Sequence, residues 1–140
     1  MTNIAKLRDE HFRLMATVRR LGALIERRKA PPTLHLFALR HELTTTLLAH
    51  LKVEDWLLYP PLIDNPDTQI AATARAFSDE MGGLAGAYRA HCEKWNASAI
   101  SVDWAGYCVE CRDILDALTI RITRENRELY PLVENLARAA

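Results

Sequence analysis

Four side chains of a kind that binds divalent metal stand at helical spacing in this chain: His11, His50, Glu54 and Glu125. His50 and Glu54 are one helical turn apart, so an imidazole and a carboxylate share a face. Ionised carboxylates are costly to bury unless paired or bound to a cation, and imidazole beside carboxylate is a ligand set for a divalent transition metal. Arg121 precedes Glu125 as His50 precedes Glu54. The correspondence belongs to a repeat: an offset of 71 residues lays His50–Pro60 on Arg121–Pro131 and matches Glu54, Leu58, Tyr59 and Pro60 to Glu125, Leu129, Tyr130 and Pro131. Upstream, an offset of 70 lays His11 on Met81. In both places the first copy has a histidine that the second has lost. A single histidine on an apolar stripe is ordinarily a core residue satisfied by its neighbours, so the metal reading requires all four residues to meet at one level.

The elements that would bring them together are helices. Ile4, Leu7, His11, Leu14, Val18, Leu21 and Ile25 fall on one stripe, which predicts a first helix from about Asn3 to Arg28 that stops before Pro31-Pro32. Thr33 is expected to cap a second helix that carries Leu36, Leu39, Leu43, Leu47, His50, Glu54 and Leu57 inward and ends near Tyr59-Pro60-Pro61. After a turn-rich stretch at 60–67, a third helix is expected over Thr68–Asn96, with Gly82, Gly83 and Gly86 loosening its middle. A loop at Ser98–Asp103 leads to a last helix, about Asp103–Arg138, with Tyr107, Cys111, Ile114, Leu118, Arg121, Glu125, Leu129, Leu132 and Leu136 inward and a kink or break at Pro131. Four such helices with short connections predict an all-α, antiparallel up-down-up-down four-helix bundle. His11 lies 17 residues before Arg28 and His50 lies 17 after Thr33, so both histidines should stand at one height. Glu54 comes one turn beyond, and Glu125 meets it from the last helix.

The 140 residues suit a single domain made of two αα repeats, about 1–66 and 67–140. With 18 basic and 18 acidic residues the net charge is zero, so neither nucleic acid nor an anionic membrane is an expected partner. No apolar run is long enough to span a bilayer, and the opening residues do not read as a signal peptide; a soluble, cytoplasmic protein is expected. Three cysteines argue for reduced thiols. A weaker second site is conceivable where His91, Cys92, Cys108 and Cys111 approach the other end of the bundle, as a zinc site or a redox pair. A Cys-x-x-Cys inside a helix favours core packing instead. His35 and His41, beside the leucine stripe at that end, read as surface residues.

With these residues in view, the chain resembles the hemerythrin-like, or HHE cation-binding, family along nearly its whole length. The paired segments His-x-x-x-Glu…Tyr-Pro and Arg-x-x-x-Glu…Tyr-Pro carry most of the likeness. The resemblance implies a four-helix bundle that holds two irons. It places His11, His50, Glu54 and Glu125 on ligand positions, with the glutamates bridging, and puts Met81 and Arg121 where the second iron's histidines would stand. A reduced, mononuclear site is therefore expected: one iron, or manganese or zinc, with Arg121 supplying the missing charge between Glu54 and Glu125. Reversible oxygen carriage uses two irons, so an oxygen store is not expected. Sensing of oxygen, nitric oxide or redox state through a small diatomic ligand would remain open to one iron. No residue is assigned a catalytic role, and a non-enzyme is the expectation. The alternative is a metal-free bundle acting as a structural or regulatory interaction module, with Trp56 and Trp104 available to a protein partner or a homodimer. Tyr59 and Tyr130 are expected to pack rather than to donate hydrogen bonds to the site.

Overall fold

A computed structural model describes residues 3–139. Helix α1 spans Ile4–Ile25 and opens on Asn3, whose side chain accepts the Lys6 N–H. Helix α2 spans Thr33–Val53; Pro32 precedes its first turn and no side chain caps it, so Thr33 is the first helical residue and not the cap. The chain then passes through a π-helical turn at Glu54–Leu58 into α3, Tyr59–Ile63. Asp67 caps α4, Thr68–Met81, by accepting the N–H groups of Gln69 and Ile70. The expected long third helix is interrupted at Gly82-Gly83 and resumes as α5, Leu84–Lys94. Where a loop was expected, a short helix α6, Ala97–Val102, forms because the Asn96 side chain accepts the Ala99 N–H and starts a turn. Helix α7 spans Trp104–Arg124 and continues through a second π-helical turn, Glu125–Leu129, into α8, Tyr130–Ala139.

The two wide turns explain how the helices run on through their prolines. Pro60 and Pro131 have no N–H to give, and a proline ring crowds the carbonyl four residues back in an ordinary α-helix. In a π turn the bonding reaches one residue further, and the N–H groups of Tyr59 and Tyr130 find the carbonyls of Glu54 and Glu125. The helix expected to end near Tyr59-Pro60-Pro61 therefore runs on to Ile63, and the last helix is not broken at Pro131. The extra residue rotates the rest of each helix about its axis. Leu57, expected inward, is 62 % exposed while Leu58 is buried, and Val133 takes the core position expected of Leu132.

Packing gives the expected antiparallel four-helix bundle, with α1 against α2 and α7, and α5 against α7. Its core divides into two apolar clusters. One contains Leu14, Leu47, Leu51, Leu84, Leu118 and Ile122; the other contains Leu7, Leu58, Phe77, Leu129, Tyr130 and Val133. On each long helix the residue between the clusters is one singled out by the sequence: His11, His50 with Glu54, Met81, and Arg121 with Glu125. A polar layer thus crosses an otherwise apolar bundle. No helix among the described residues is long and apolar enough to cross a membrane.

The Gly82-Gly83 break makes a testable distinction. Neither glycine has positive φ, so local backbone conformation alone excludes a side chain at neither. A Cβ on Gly83 would meet nothing within 4 Å, whereas one on Gly82 would lie 2.4 Å from the Ser78 carbonyl oxygen. Gly83→Ala should raise unfolding free energy by about 0.4–1 kcal/mol by restricting the unfolded chain, and Gly82→Ala should lower it. Urea denaturation of the two variants checks both signs.

Candidate metal centre

The two histidines stand at one height as expected, with ring centroids 4.8 Å apart. One ligand atom each from His11, His50, Glu54 and Glu125 lies within 4.8 Å of the others, and all four residues are buried. His50 Nε2 is 3.0 Å from Glu54 Oε1, and His11 Nε2 is 3.2 Å from Glu125 Oε1. Those separations match the roughly 3.0 Å between neighbouring ligands on an octahedral ion bound at about 2.1 Å. His50 Nε2 and Glu125 Oε1 are fully buried, and while the rings are neutral with the hydrogen on Nδ1 each meets only another acceptor, Glu54 Oε1 and His11 Nε2 respectively, so neither is satisfied without a proton or a cation between them. Buried polar atoms are nearly always satisfied, so acceptors gathered this closely form a group that could hold a cation.

Each imidazole is held from behind. His50 Nδ1 lies 2.8 Å from Glu10 Oε1, and His11 Nδ1 lies 2.8 Å from Asn126 Oδ1. Both partners accept, so Nδ1 carries the hydrogen and Nε2 turns its lone pair inward when the ring is neutral. Two tyrosines complete the layer. The Tyr59 hydroxyl donates to Glu125 Oε2 at 2.6 Å, and the Tyr130 hydroxyl donates to Glu54 Oε2 while standing 3.0 Å from His11 Nε2. Each tyrosine serves the glutamate of the other repeat.

Arg121 reaches the same two carboxylates. Its Nε donates to Glu125 Oε2 at 3.1 Å, and Nη2 is shared between Glu54 Oε1 at 3.3 Å and Asp55 Oδ1 at 2.7 Å. Nη1 donates to the Met81 carbonyl at 3.1 Å. The guanidinium is 1 % exposed and its pKa is raised: burial works against the charge, but Glu125, Glu54 and Asp55 outweigh it. Burial also works to raise Glu54, yet the hydrogen bond and charge of His50, with Arg121 behind, hold it below the ordinary carboxylate range. Glu125 is pushed up by burial and by the Glu54 charge, against the pull of His11 and Arg121. For His50, burial favours the neutral ring, but the Glu54 and Glu10 contacts win and its pKa is raised. With no cation, a proton on His50 supplies positive charge at the same place.

A layer of buried imidazoles and carboxylates, carried by three of the four antiparallel helices, coincides with a sequence match to the hemerythrin HHE cation-binding domain over residues 2–133. The chain belongs to that family. No curated protein and no solved structure matches it. The hemerythrin HHE match and the buried His/Glu cluster together mark a helical domain suited to holding a cation.

Several features of this layer escape the sequence reading. Tyr59 and Tyr130 are hydrogen-bond donors to the carboxylates, not mere packing. Glu10, Asp55 and Asn126 all touch the centre, although each sits beside a predicted site residue and off the assumed inward stripe. The 71-residue offset pairs Asp55 with Asn126, which was the available signal. Met81 is half-buried and contributes its backbone carbonyl. The weaker candidate does not assemble: among the described residues, His91, Cys92, Cys108 and Cys111 form no cluster of metal-ligand spacing. All three thiols are free, and burial pushes the Cys111 thiol up to about 11 and Cys108 upward as well, which disfavours thiolates. His91 is buried and stacks on Tyr107, while His35 and His41 are exposed. Trp56 is 73 % exposed, whereas Trp104 packs on the core and donates to the Arg27 carbonyl.

Removing Arg121 strands buried carboxylates. Arg121→Met should cost the metal-free chain about 3–5 kcal/mol in denaturant unfolding; a cost under about 1 kcal/mol would show that the ion pairs do not hold the layer. The His50 contribution has a definite sign with pH. Its folded pKa is raised above 6.5, so the linked stability is complete below 6.5 and fades as pH rises through the folded value. Denaturation midpoints of metal-free wild type and His50→Gln should therefore converge as pH increases.

Proposed function

We propose that this hemerythrin HHE domain binds one divalent transition metal through His11, His50, Glu54 and Glu125, with Arg121 in place of a second cation. The observation that carries the reading is that ligand atoms of His11, His50, Glu54 and Glu125 lie buried within 4.8 Å of one another, with His50 Nε2 and Glu125 Oε1 left without a donor while the rings are neutral. Two imidazoles and two carboxylates suit Fe(II), Mn(II) or Zn(II). Their ligand atoms already lie within 4.8 Å of one another. Glu10 and Asn126 hold the imidazoles in the ligand tautomer, and Tyr59 and Tyr130 fix the carboxylate oxygens not turned to the cation. Met81 offers no imidazole and Arg121 brings a fixed positive charge, so a second metal on that side would meet repulsion and a lost ligand. Bound iron would supply one-electron redox chemistry and an open position for a small diatomic molecule, the chemistry of gas or redox sensing.

A metal-free regulatory bundle is the competing reading. Its support is Arg121 itself, which already offsets much of the carboxylate charge through Glu54, Asp55 and Glu125. Elemental analysis separates the two. Protein purified without oxygen and reconstituted with Fe(II), Mn(II) or Zn(II) should hold about one ion per chain, and His50→Ala and His11→Gln should each hold far less while keeping their helical circular dichroism. Arg121→His should raise the content above the wild-type value. Wild type that retains none of the three metals rules out the metal reading and leaves the interaction module.

A further inference from the structure

Behind His11, on the outside of the polar layer, a cavity of about 300 Å³ opens between α1 and the turn after α7. Arg8, Arg19 and Asn126 supply its polar wall, and Phe12, Met15 and Ile122 its apolar wall. No carboxylate lines it. Arg8 is engaged by Glu134, with Nη2 2.7 Å from Oε1, but no carboxylate among the described residues pairs with Arg19. Asn126 spends its side-chain oxygen on His11 Nδ1, and its side-chain N–H groups have no acceptor among the described residues. Arg8 is thus fully engaged, by Glu134 and the Asn126 carbonyl, and the Arg19 guanidinium and the Asn126 amide are the donors of this cavity left without an acceptor among the described residues. Phe12, on the rim, is 82 % exposed, a large apolar surface that the bundle core does not use.

We propose that this cavity is a binding site for a small organic carboxylate, a single anionic group on a compact apolar body. A guanidinium fork matches a carboxylate in two-point geometry, and the Asn126 amide would add a donor from the floor. The ring of Phe12 with Met15 and Ile122 would cover the body, which inorganic anions could not exploit. The volume is at the small end of ligand pockets, so a benzoate-sized molecule fits and a larger cofactor does not. Because Asn126 joins the cavity to His11 Nδ1, an occupant fastens the amide that orients that imidazole. If the layer holds a metal as proposed, the occupant would thereby tune the cation's hold; the site itself requires no metal.

The test uses the metal-free full chain, so failure here is separate from failure of the metal reading. Benzoate is titrated into nitrogen-15-labelled protein while the His11 imidazole and Asn126 side-chain amide resonances are followed, with calorimetry for affinity. Saturable binding that shifts both resonances is expected. Arg19→Gln should weaken it about tenfold, a typical loss for one charge-assisted contact. Phe12→Ser should weaken benzoate and leave inorganic phosphate unchanged. The proposal is overturned by any of three results: no saturation with benzoate at tens of millimolar, an affinity indifferent to Arg19→Gln, or phosphate binding as tightly as benzoate.

Discussion

One guanidinium buried among carboxylates governs the middle of this bundle. Glu54 and Glu125 are fully buried, and carboxylates so placed remain ionised only if positive charge and donors surround them. Arg121 provides both. Its Nε, Nη1 and Nη2 are engaged by Glu125, Met81, Glu54 and Asp55, so little of its hydrogen-bonding capacity is wasted. The always-charged, forked side chain suits this position in a way that lysine, a single point charge, would not. The apolar clusters on either side of the layer supply the burial that makes the layer dry. They also make it dependent on complete pairing.

The two π-helical turns set the directions of the side chains in that layer. Each begins at a site glutamate and precedes a Tyr-Pro pair, in both halves of the chain. The widened turn passes the proline without ending the helix, and the added rotation brings both tyrosines into the core. There they cross, Tyr59 to Glu125 and Tyr130 to Glu54, so each repeat's carboxylate is fixed by the other repeat. A proline that would ordinarily terminate a helix is thus part of how the carboxylates are aimed.

The bundle, its four main helices and the level of His11, His50, Glu54 and Glu125 were legible in the sequence because a 3.6-residue stripe and the internal repeat specify them directly. Arg121 as the bridge between Glu54 and Glu125 was legible from the same repeat. What escaped depends on local departures from the ideal helix. A stripe drawn at constant pitch places Leu57 inward and leaves Asp55 and Asn126 out of the site; one residue of π widening reverses the Leu57 assignment. The Asn96 cap turned an expected loop into α6, and two adjacent glycines divided the third helix. The cysteine grouping rested on similar height along the bundle, which does not by itself set metal-ligand spacing, and the four residues form no such group among the described residues.

The layer is asymmetric in chemistry while its carboxylates stay symmetric in placement. Glu125 turns Oε1 to His11 and Oε2 to Arg121 and Tyr59. Glu54 turns Oε1 to both His50 and Arg121, and Oε2 to Tyr130. Each glutamate therefore spans an imidazole half and a guanidinium half. The guanidinium half carries its positive charge permanently. The imidazole half carries none when its rings are neutral, and in the metal-free chain the raised pKa of His50 signals the charge deficit left there. A proton can fill that deficit only by blocking His50 Nε2, the atom whose lone pair a metal would need. A cation bound as proposed would compete with a proton for one position, and the fixed charge of Arg121 would confine that competition to the side of the first repeat.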